Sequence, residues 1–359
     1  MLNSSEIRVL LISPLPPPSG GIGTWTKKYI AHAKEYSINV DIVNIATIGR
    51  RSLKLNQKRS FKDEIVRTYR IINDLRDRLK NDNYDVVHLN TSCEKYGLFR
   101  DYICAFIIKK KKIPLIIHCR CDVGYQLKNG SFEVVFRHLV RISDRVITLN
   151  SRSKGIADKY AKKESVIIPN FIEDDYLKGD YHIRDNIKKI VFVGHVEFAK
   201  GIKEIIDAAN AYRNISFWII GSIRDEVNSL TIPENVHMVG DIQHDSIKEY
   251  LMESDVFLFP SYSEGFANAL LEAMACGLPC IVSDVGANVD MIEDSGGYSV
   301  SIKNSKEIVN AINKLEDPRI RHRMSIWNKE KVKLNYTIDS VMKRIIEIYF
   351  NVIQERRGY

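Results

Sequence analysis

The 359-residue sequence lacks the segments that anchor or export a protein. It has no run of about 18 apolar residues, so no membrane-spanning helix is predicted. Its first residues, M-L-N-S-S-E-I-R-V-L-L-I-S-P, have no basic start, and their apolar run has the length of a short strand. We therefore expect no signal peptide and a cytosolic protein.

Cysteine is also scarce, and no repeated C-x-x-C pattern occurs. His118, Cys119 and Cys121 lie close together in the sequence, but no second pair follows that would complete a zinc site. We expect all six cysteines to be buried free thiols. They are Cys93, Cys104, Cys119, Cys121, Cys276 and Cys280.

The net charge of +8 is spread unevenly along the chain. Residues 1–180 hold 32 Lys and Arg against 20 Asp and Glu, whereas residues 181–359 hold 21 against 25. The basic half predicts an anionic partner. No nucleic-acid motif is present and the basic residues are not interleaved with aromatics, so an anionic membrane surface or a phosphate-bearing acceptor is favoured.

The length exceeds the usual size of one domain, which predicts two. Short apolar runs alternate with helical patterns, as in β-α-β units, so the predicted fold class is α/β with two Rossmann-like doubly wound parallel sheets. The predicted strands are 7–13, 38–45, 85–90, 114–119, 145–150, 190–194, 216–221, 236–240, 256–259 and 280–283. Helices are predicted from Thr24 onwards and over 61–79, 202–211, 266–275, 304–333 and 336–357.

The helix over 61–79 is amphipathic and basic. Its apolar positions recur at helical spacing and the remaining faces carry Lys and Arg, a pattern that suits either a membrane surface or packing on the sheet of the domain itself. The apolar positions are Phe61, Ile65, Tyr69, Ile72, Leu75 and Leu79. The polar, basic segment 49–60 before it is predicted to be a mobile loop.

A pair of glutamates surrounds the start of the helix predicted over 266–275. Glu264 falls in the loop after a buried strand, and Glu272 falls about two turns inside the helix, which Gly277 and Pro279 terminate. The first turn of a helix offers unpaired N–H groups and the positive end of its dipole. The stretch therefore predicts a phosphate site with a carboxylate on each side.

The stretch E-G-F-A-N-A-L-L-E-A, followed by G-L-P-C-I-V, resembles the E-x7-E motif of retaining GT-B glycosyltransferases, above all family four (glycosyl transferases group 1). The Gly20–Gly23 loop, G-H-V-E-F-A-K-G from Gly194 and V-I-I-P-N-F-I-E from Val166 resemble other stretches of that family. The resemblance spans nearly the whole chain and is most specific over 190–292. It implies the GT-B fold, with two domains facing across a cleft that closes for activity.

The resemblance also implies a division of labour. Residues 1–173 form the acceptor-binding domain, joined by the C-terminal helix 336–357, residues 174–187 form a linker, and residues 188–335 bind the nucleotide sugar. The implied catalytic residues are Glu264, His118 and Lys200. The implied donor-binding residues are Gly21, His195, Lys200, Glu264, Phe266, Ala267, Asn268, Ala269, Leu270 and Glu272. His195 departs from the family, which usually has arginine there; histidine is charged only part of the time near neutrality.

In these roles Lys200 and the helix N–H groups hold the donor diphosphate, Glu264 the donor sugar and Glu272 the ribose. His118 lies at the C-terminal end of the predicted strand 114–119, and the resemblance implies that it lies close to the donor sugar. No D-x-D triplet occurs, and the resemblance implies neither a metal nor another cofactor.

The implied reaction transfers a sugar, with retention, from a nucleoside-diphosphate sugar (UDP-sugar favoured) to a hydroxyl of a glycan or lipid-linked acceptor. The implied setting is the synthesis of a surface polysaccharide such as capsule or O-antigen, by a peripheral protein at the inner face of the cell membrane. Two alternatives remain: a nucleotide-sugar epimerase, and a non-catalytic GT-B protein that binds a nucleotide sugar or a partner.

Overall fold

The structure is a computed structural model and describes residues 6–17, 20–46, 61–128, 130, 132–179 and 181–357. The segment 49–60, predicted as a loop, lies outside the described residues. The chain divides into two compact units. The first comprises Met1–Asn170 with Val341–Tyr359, and the second comprises Phe171–Ser340.

The first unit is built on a six-stranded parallel sheet in the order β2-β1-β3-β4-β5-β6. Helices cover both faces of such a sheet, which is why its strands are nearly continuous apolar runs. The strands are β1 Ile7–Ser13, β2 Ile38–Asn44, β3 Val86–Thr91, β4 Leu115–Cys119, β5 Arg145–Thr148 and β6 Val166–Ile167. The helices are α1 Gly21–Ala33, α2 Phe61–Asn81, α3 Lys95–Lys110, α4 Val123–Leu127, α5 Glu133–Ile142 and α6 Ser151–Asp158.

The second unit holds another six-stranded parallel sheet, in the order β12-β11-β10-β7-β8-β9. Its strands are β7 Lys189–Val193, β8 Ser216–Ile220, β9 Val236–Gly240, β10 Val256–Phe259, β11 Cys280–Ser283 and β12 Gly297–Val300. Its helices are α7 Ile202–Ala209, α8 His244–Met252, α9 Asn268–Ala275, α10 Asn288–Ile292, α11 Ser305–Lys314 and α12 Pro318–Asn335. The last helix, α13 Ile338–Arg357, belongs to the first unit from Val341 onwards.

The strand order of the second unit creates a topological switch point between β7 and β10. From β7 the chain proceeds outward to β8 and β9, then returns to place β10 on the other side of β7. Doubly wound sheets bind ligands at the carboxyl ends of the strands beside such a switch point, here after β7 and β10.

The predicted α/β class with two doubly wound parallel sheets is confirmed, and two strands that the sequence analysis missed complete the sheets. β6 has two residues and β12 starts with Gly297, so neither presents the apolar run from which a strand is predicted. Among the described residues, no helix combines the length and the apolarity needed to cross a membrane.

Apolar side chains of α2 are buried in its later part and exposed near its start. Ile71, Leu75 and Leu79 are buried against the first sheet, as packing on the domain's own core requires. Ile65 and Tyr69, which the pattern placed on the same apolar face, are instead more than half exposed. The start of α2 therefore presents apolar surface outward.

Candidate active site

Two loops of the second unit converge at the switch point. The loop after β7 carries His195 and Lys200, and the loop after β10 carries Glu264. Their backbones are in close contact: the Tyr262 N–H donates to the Ala199 carbonyl at 2.9 Å. Gly201 lies between the loops with φ +76°, and a Cβ there would approach the Pro260 carbonyl oxygen to 2.3 Å. Only glycine fits this position, which fixes the two loops against each other.

Lys200 and Glu264 form an ion pair at this point. The Lys200 Nζ lies 2.5 Å from Glu264 Oε1, and the two side chains retain 21% and 12% of their exposure. Lys200 immediately precedes Gly201, the N-cap of α7, and so faces the positive end of a helix dipole. The negative charge of the Glu264 carboxylate offsets this unfavourable interaction between the Lys200 ammonium and the helix dipole.

A second glycine supports Glu264 from behind. Gly286, in the loop after β11, has φ +53°. A Cβ at that position would lie 1.7 Å from the Glu264 carbonyl oxygen. The two backbones can approach this closely only without a side chain, so Gly286 sets the position of the Glu264 main chain.

Helix α9 begins beside this pair. It spans Asn268–Ala275, so the predicted start at Phe266 is wrong by two residues. Ala267 is the N-cap and has an extended backbone, while the Phe266 ring packs against Tyr336 at 5.9 Å. The chain turns into the helix only after Phe266 is anchored, which the helical pattern of the sequence does not reveal.

The first turn of α9 presents backbone N–H groups. The first intrahelical bond of this end runs from the Leu271 N–H to the Ala267 carbonyl, so Ala269 and Leu270 have no intrahelical acceptor. No side chain caps the helix, and its first turn holds no carboxylate. Leu270 is buried as a whole residue, whereas Ala269 is partly exposed. This end of α9 is electropositive.

Glu272 lies about one turn inside α9 rather than the predicted two, because the helix starts later. Its carboxylate is nearly buried and receives the His244 Nε2 at 3.3 Å. The His244 ring also stacks edge-on with Tyr176 at 6.1 Å. The Tyr176 hydroxyl is buried and meets no hydrogen-bond partner among the described residues, and burial raises its pKa.

His244 and Tyr176 were missed by the sequence analysis. His244 opens α8, after the β9 strand, and Tyr176 lies in a short 3-10 helix, Asp174–Leu177, within the predicted linker. That segment is packed rather than loose: the Tyr181 hydroxyl donates to the Asp255 carbonyl at 2.6 Å. No local motif marks either residue, since the fold alone brings them to Glu272.

His195 is exposed at the end of β7. Its Nδ1 lies 2.9 Å from the Ser222 Oγ, which follows the neighbouring strand β8. The hydroxyl holds the ring in place and leaves Nε2 as the outward nitrogen. The position that the resemblance assigns to an arginine is therefore occupied by an oriented imidazole.

In the first unit, Gly21 lies inside a helix rather than in a loop. The helix predicted from Thr24 starts at Gly21, and the Thr24 N–H bonds to the Gly20 carbonyl at 2.9 Å. Gly20 caps it with an extended backbone and no side-chain hydrogen bond. The residues predicted as a Gly-rich loop therefore form the start of a 13-residue helix, and they supply the unpaired N–H groups of its first turn.

His118 is fully buried near the end of β4, with both ring nitrogens in hydrogen bonds. Its Nδ1 lies 3.1 Å from His88 Nε2, and its Nε2 lies 3.1 Å from Arg120 Nη1. His88 Nδ1 in turn meets the Tyr349 hydroxyl at 2.7 Å, and Tyr349 meets Tyr29 at 2.8 Å. We call these five residues the histidine array.

Arg120 gives the histidine array a direction. A guanidinium can only donate, so His118 Nε2 accepts and its proton lies on Nδ1. That proton is donated to His88 Nε2, which places the His88 proton on Nδ1, from which it is donated to Tyr349. The Tyr349 hydroxyl then donates to Tyr29. One arginine thereby fixes the tautomers of two histidines.

The lowered pKa values of His88 and His118 agree with neutral imidazole rings. Burial lowers the pKa of His88 to about 3, with the Arg120 charge as the second cause. Burial and the same charge hold the pKa of His118 well below its usual range. Arg120, held between the Trp25 ring at 4.3 Å and the Asn170 amide oxygen at 2.6 Å, has its pKa lowered by burial to about 9.

All six cysteines are buried and unpaired, as predicted. In the parts of the chain that the structure describes, no group of three His, Cys, Asp or Glu side chains is arranged to hold a metal ion.

Comparison with known proteins identifies the class. The model of the family "Glycosyl transferases group 1" matches residues 173–331, which contain the convergent loops and α9. The chain is 24% identical over 308 residues to the Escherichia coli UDP-Gal:alpha-D-GlcNAc-diphosphoundecaprenol alpha-1,3-galactosyltransferase, covering 77% of each protein. Together with the two doubly wound sheets, these likenesses support a GT-B glycosyltransferase.

Solved structures share the fold of this chain. A sucrose-phosphate synthase from Thermosynechococcus elongatus matches with a TM-score of 0.80 at 15% identity, over 97% of this chain and all of that one. Anabaena HepE in complex with UDP-glucose matches with a TM-score of 0.71 at 17% identity, over 96% of this chain and all of that one.

Proposed function

We propose that this glycosyltransferase moves a sugar from a UDP-sugar to a hydroxyl of a glycan or lipid-linked acceptor, with retention of the anomeric configuration and without a catalytic metal. The observation that carries the proposal is the Lys200–Glu264 pair, at 2.5 Å, beside the electropositive start of α9 at a topological switch point. A cation, a carboxylate and unused N–H groups together match a sugar joined to a diphosphate.

In this proposal the diphosphate lies between Lys200 and the N–H groups of Ala269 and Leu270. Negative charge develops on the leaving diphosphate as the sugar–phosphate bond breaks, and preorganised positive groups stabilise that charge. His195, held by Ser222, adds a donor through Nε2. Phosphate binding gives Lys200 a second anion, which lets Glu264 turn toward the sugar.

Glu264 then accepts hydrogen bonds from the donor-sugar hydroxyls, with the backbone of Phe266, Ala267 and Asn268 alongside. Glu272 accepts from the ribose hydroxyls. His244 lies on the Glu272 carboxylate at 3.3 Å and keeps one of its oxygens oriented, which leaves the other for the ribose. The orphaned Tyr176 hydroxyl is a further donor for the nucleoside.

The acceptor hydroxyl attacks from the face on which the diphosphate leaves, and the leaving phosphate oxygen takes its proton. We assign acceptor binding to the first unit, and we assign to Gly21, at the start of α1, the donor-binding role that the resemblance implies. His118 can hold a donor hydroxyl only if Arg120 releases its Nε2, because both ring nitrogens are engaged in the structure.

The names of related proteins support the substrate class. The Escherichia coli relative is named for UDP-Gal, a diphosphoundecaprenol-linked acceptor and an alpha-1,3 product. Other relatives are named for teichuronic acid and capsular polysaccharide biosynthesis. We place this enzyme in surface polysaccharide synthesis, as a peripheral protein at the cytoplasmic face of the membrane where a lipid-linked acceptor is presented.

One observation favours a second function, a GT-B protein that binds a nucleotide sugar without transferring it. His195 replaces the arginine that the resemblance implies, and a histidine neutralises a diphosphate less completely than a guanidinium does. Such a protein would bind UDP-sugars but release no product.

The test is a panel of UDP-, GDP- and ADP-sugars with and without a lipid-linked acceptor, followed by product analysis. We expect slow UDP-sugar hydrolysis alone, transfer with acceptor, and an anomeric signal that matches the donor. Glu264→Ala should abolish both activities, while Glu253→Ala, at an exposed glutamate of the same unit, should leave them intact. Binding without turnover would support the second function, and an isomerised donor would indicate an epimerase.

A further inference from the structure

Helix α3 carries an outward apolar stripe that the reaction does not use. Tyr96, Phe99, Ile103 and Phe106 are between 39% and 50% exposed. Their spacing of three, four and three residues places them within about 80° of arc on an α-helix, over a length of about 15 Å. Solvent-exposed aromatics aligned along one face of a helix form a surface suited to an apolar phase.

Lysines lie at both ends of this stripe, and at the first end the exposed Glu94 and Glu133 adjoin Lys95 and Phe132. Lys95 lies 5.5 Å over the Phe132 ring at one end, and Lys110 lies 4.6 Å over the Phe106 ring at the other, followed by Lys111 and Lys112. The one carboxylate within α3, Asp101, is fully buried in an ion pair with Arg100. The outward face of α3 is therefore apolar and basic.

The neighbouring helices extend the same surface. α2, α3 and α5 all bury residues in one core on the same side of the first sheet, through Leu75, Leu98 and Phe136 among others. Their opposite faces point away from that sheet together. Of fourteen large apolar side chains exposed among the described residues, eight lie in α2, α3 and α5, so the exposed apolar surface is concentrated here rather than scattered.

We propose that this face, formed by α2, α3 and α5 and called here the docking face, inserts into an anionic lipid bilayer. The inference rests on the proposed function in one respect, the lipid-linked acceptor. Apolar side chains enter the boundary of the acyl chains while lysines at the edges meet anionic headgroups. α3 starts four residues after β3, at the carboxyl edge of the first sheet, so a bilayer on this face delivers acceptor to the edge where such sheets bind ligands.

A bilayer is favoured over a protein partner by the charge distribution. Lysines at both ends of the stripe and in the run after Phe106 match a uniform sheet of negative headgroups. A second copy of the chain would set these basic surfaces against each other.

The test measures binding of the full chain to sedimented vesicles of phosphatidylcholine with and without phosphatidylglycerol. Phe99→Ser with Phe106→Ser should lower the partition coefficient on anionic vesicles about tenfold per side chain. Lys110→Ala, Lys111→Ala and Lys112→Ala together should lower binding to anionic vesicles at low salt but not to neutral ones. Ile326→Ser with Leu334→Ser removes apolar groups of 48% and 73% exposure from the second unit and should change nothing.

Three outcomes would overturn the proposal. They are equal binding of the aromatic variant and the wild type, absence of wild-type binding to anionic vesicles, and a change of sedimentation state in place of vesicle binding, which would identify an interface between copies. UDP-sugar hydrolysis in solution, measured on the same variants, should be unchanged. Loss of vesicle binding with intact hydrolysis separates this inference from the proposed function, and vesicle binding without any hydrolysis would refute only the function.

Discussion

In the second unit, the Lys200 ammonium and the Glu264 carboxylate meet at 2.5 Å with part of each side chain in contact with solvent. In the first unit, His88 and His118 are fully buried and bonded to the Tyr349 hydroxyl, to each other and to the Arg120 guanidinium. Lys200 and Glu264 form an ion pair, whereas the rings of His88 and His118 are neutral.

This difference separates two ways of preparing polar groups for a ligand. A partly solvated ion pair can exchange one anion for another at small cost, because solvent screens both states. The buried histidine array, in which both imidazole rings are neutral, cannot exchange partners without leaving a donor or acceptor unsatisfied. We infer that Lys200 and Glu264 change partners during turnover and that the histidine array holds a fixed geometry.

The largest expected effect comes from removing the cation. Lys200→Ala should lower kcat/KM for sugar transfer by about 100- to 1000-fold, because a preorganised positive group at the leaving phosphate is lost. Steady-state kinetics measure it. Lys203→Ala, an exposed lysine of α7, is the matched control. Equal rates for Lys200→Ala and wild type would show that the ion pair is only structural.

We expect the histidine array to make the folded protein less stable in acid. The pKa of His88 is about 3 in the folded protein against 6.5 for an ordinary histidine, so the unfolded chain binds the extra proton first as pH falls. Stability is therefore full above pH 6.5 and is lost as pH falls from 6.5 toward 3. The slope is about 1.4 kcal/mol per pH unit for each histidine, and His118 adds a second contribution of the same sign.

Urea unfolding at several pH values checks this slope. His88→Asn should reduce it by one histidine's share between pH 6 and 4, an interval inside the predicted window. His195→Asn, which removes an exposed imidazole, serves as the control. If the slope of stability against pH is unchanged in His88→Asn, the His88 ring is not neutral in the folded protein. That result would contradict the hydrogen bonds described for the array.

A smaller effect is expected from the backbone that positions Glu264. Gly286→Ala would bring a Cβ to 1.7 Å from the Glu264 carbonyl oxygen at φ +53°, and should destabilise the protein by about 1–3 kcal/mol. Gly155→Ala is its counterpart, with no heavy atom within 4 Å of the added Cβ in helix α6, and should stabilise by about 0.5–1 kcal/mol. Thermal unfolding measures both, and a neutral Gly286→Ala would contradict the described backbone contact.

Lys200 and Glu264 were named through the resemblance and their ion pair was not predicted, but the strand pattern gives a physical reason for their proximity. Each residue follows an apolar run that reads as a parallel strand, and the carboxyl ends of such strands meet at one edge of the sheet. The positions of Lys200 and Glu264 after two such strands therefore predict that their side chains lie close together. The start of α9 was misplaced because Phe266 packs on Tyr336, a contact across 70 residues of sequence that no local pattern reports.

The histidine array could not be predicted in the same way. His88 and Tyr349 are 261 residues apart, and the contact exists only because α13 belongs to the first unit. His118 was identified by resemblance alone, without Arg120 or His88. The docking face was hidden as well, because the periodicity of α2 predicts which side is apolar but not that Ile65 and Tyr69 remain exposed.

The most direct test of the central claim is calorimetric titration of UDP and of uridine into the wild type and Lys200→Ala. If Lys200 and the start of α9 hold a diphosphate, UDP should bind the wild type at least about 100-fold more tightly than uridine does, and Lys200→Ala should narrow that gap about tenfold. Equal affinities for UDP and uridine, or a gap that Lys200→Ala leaves unchanged, would contradict the account.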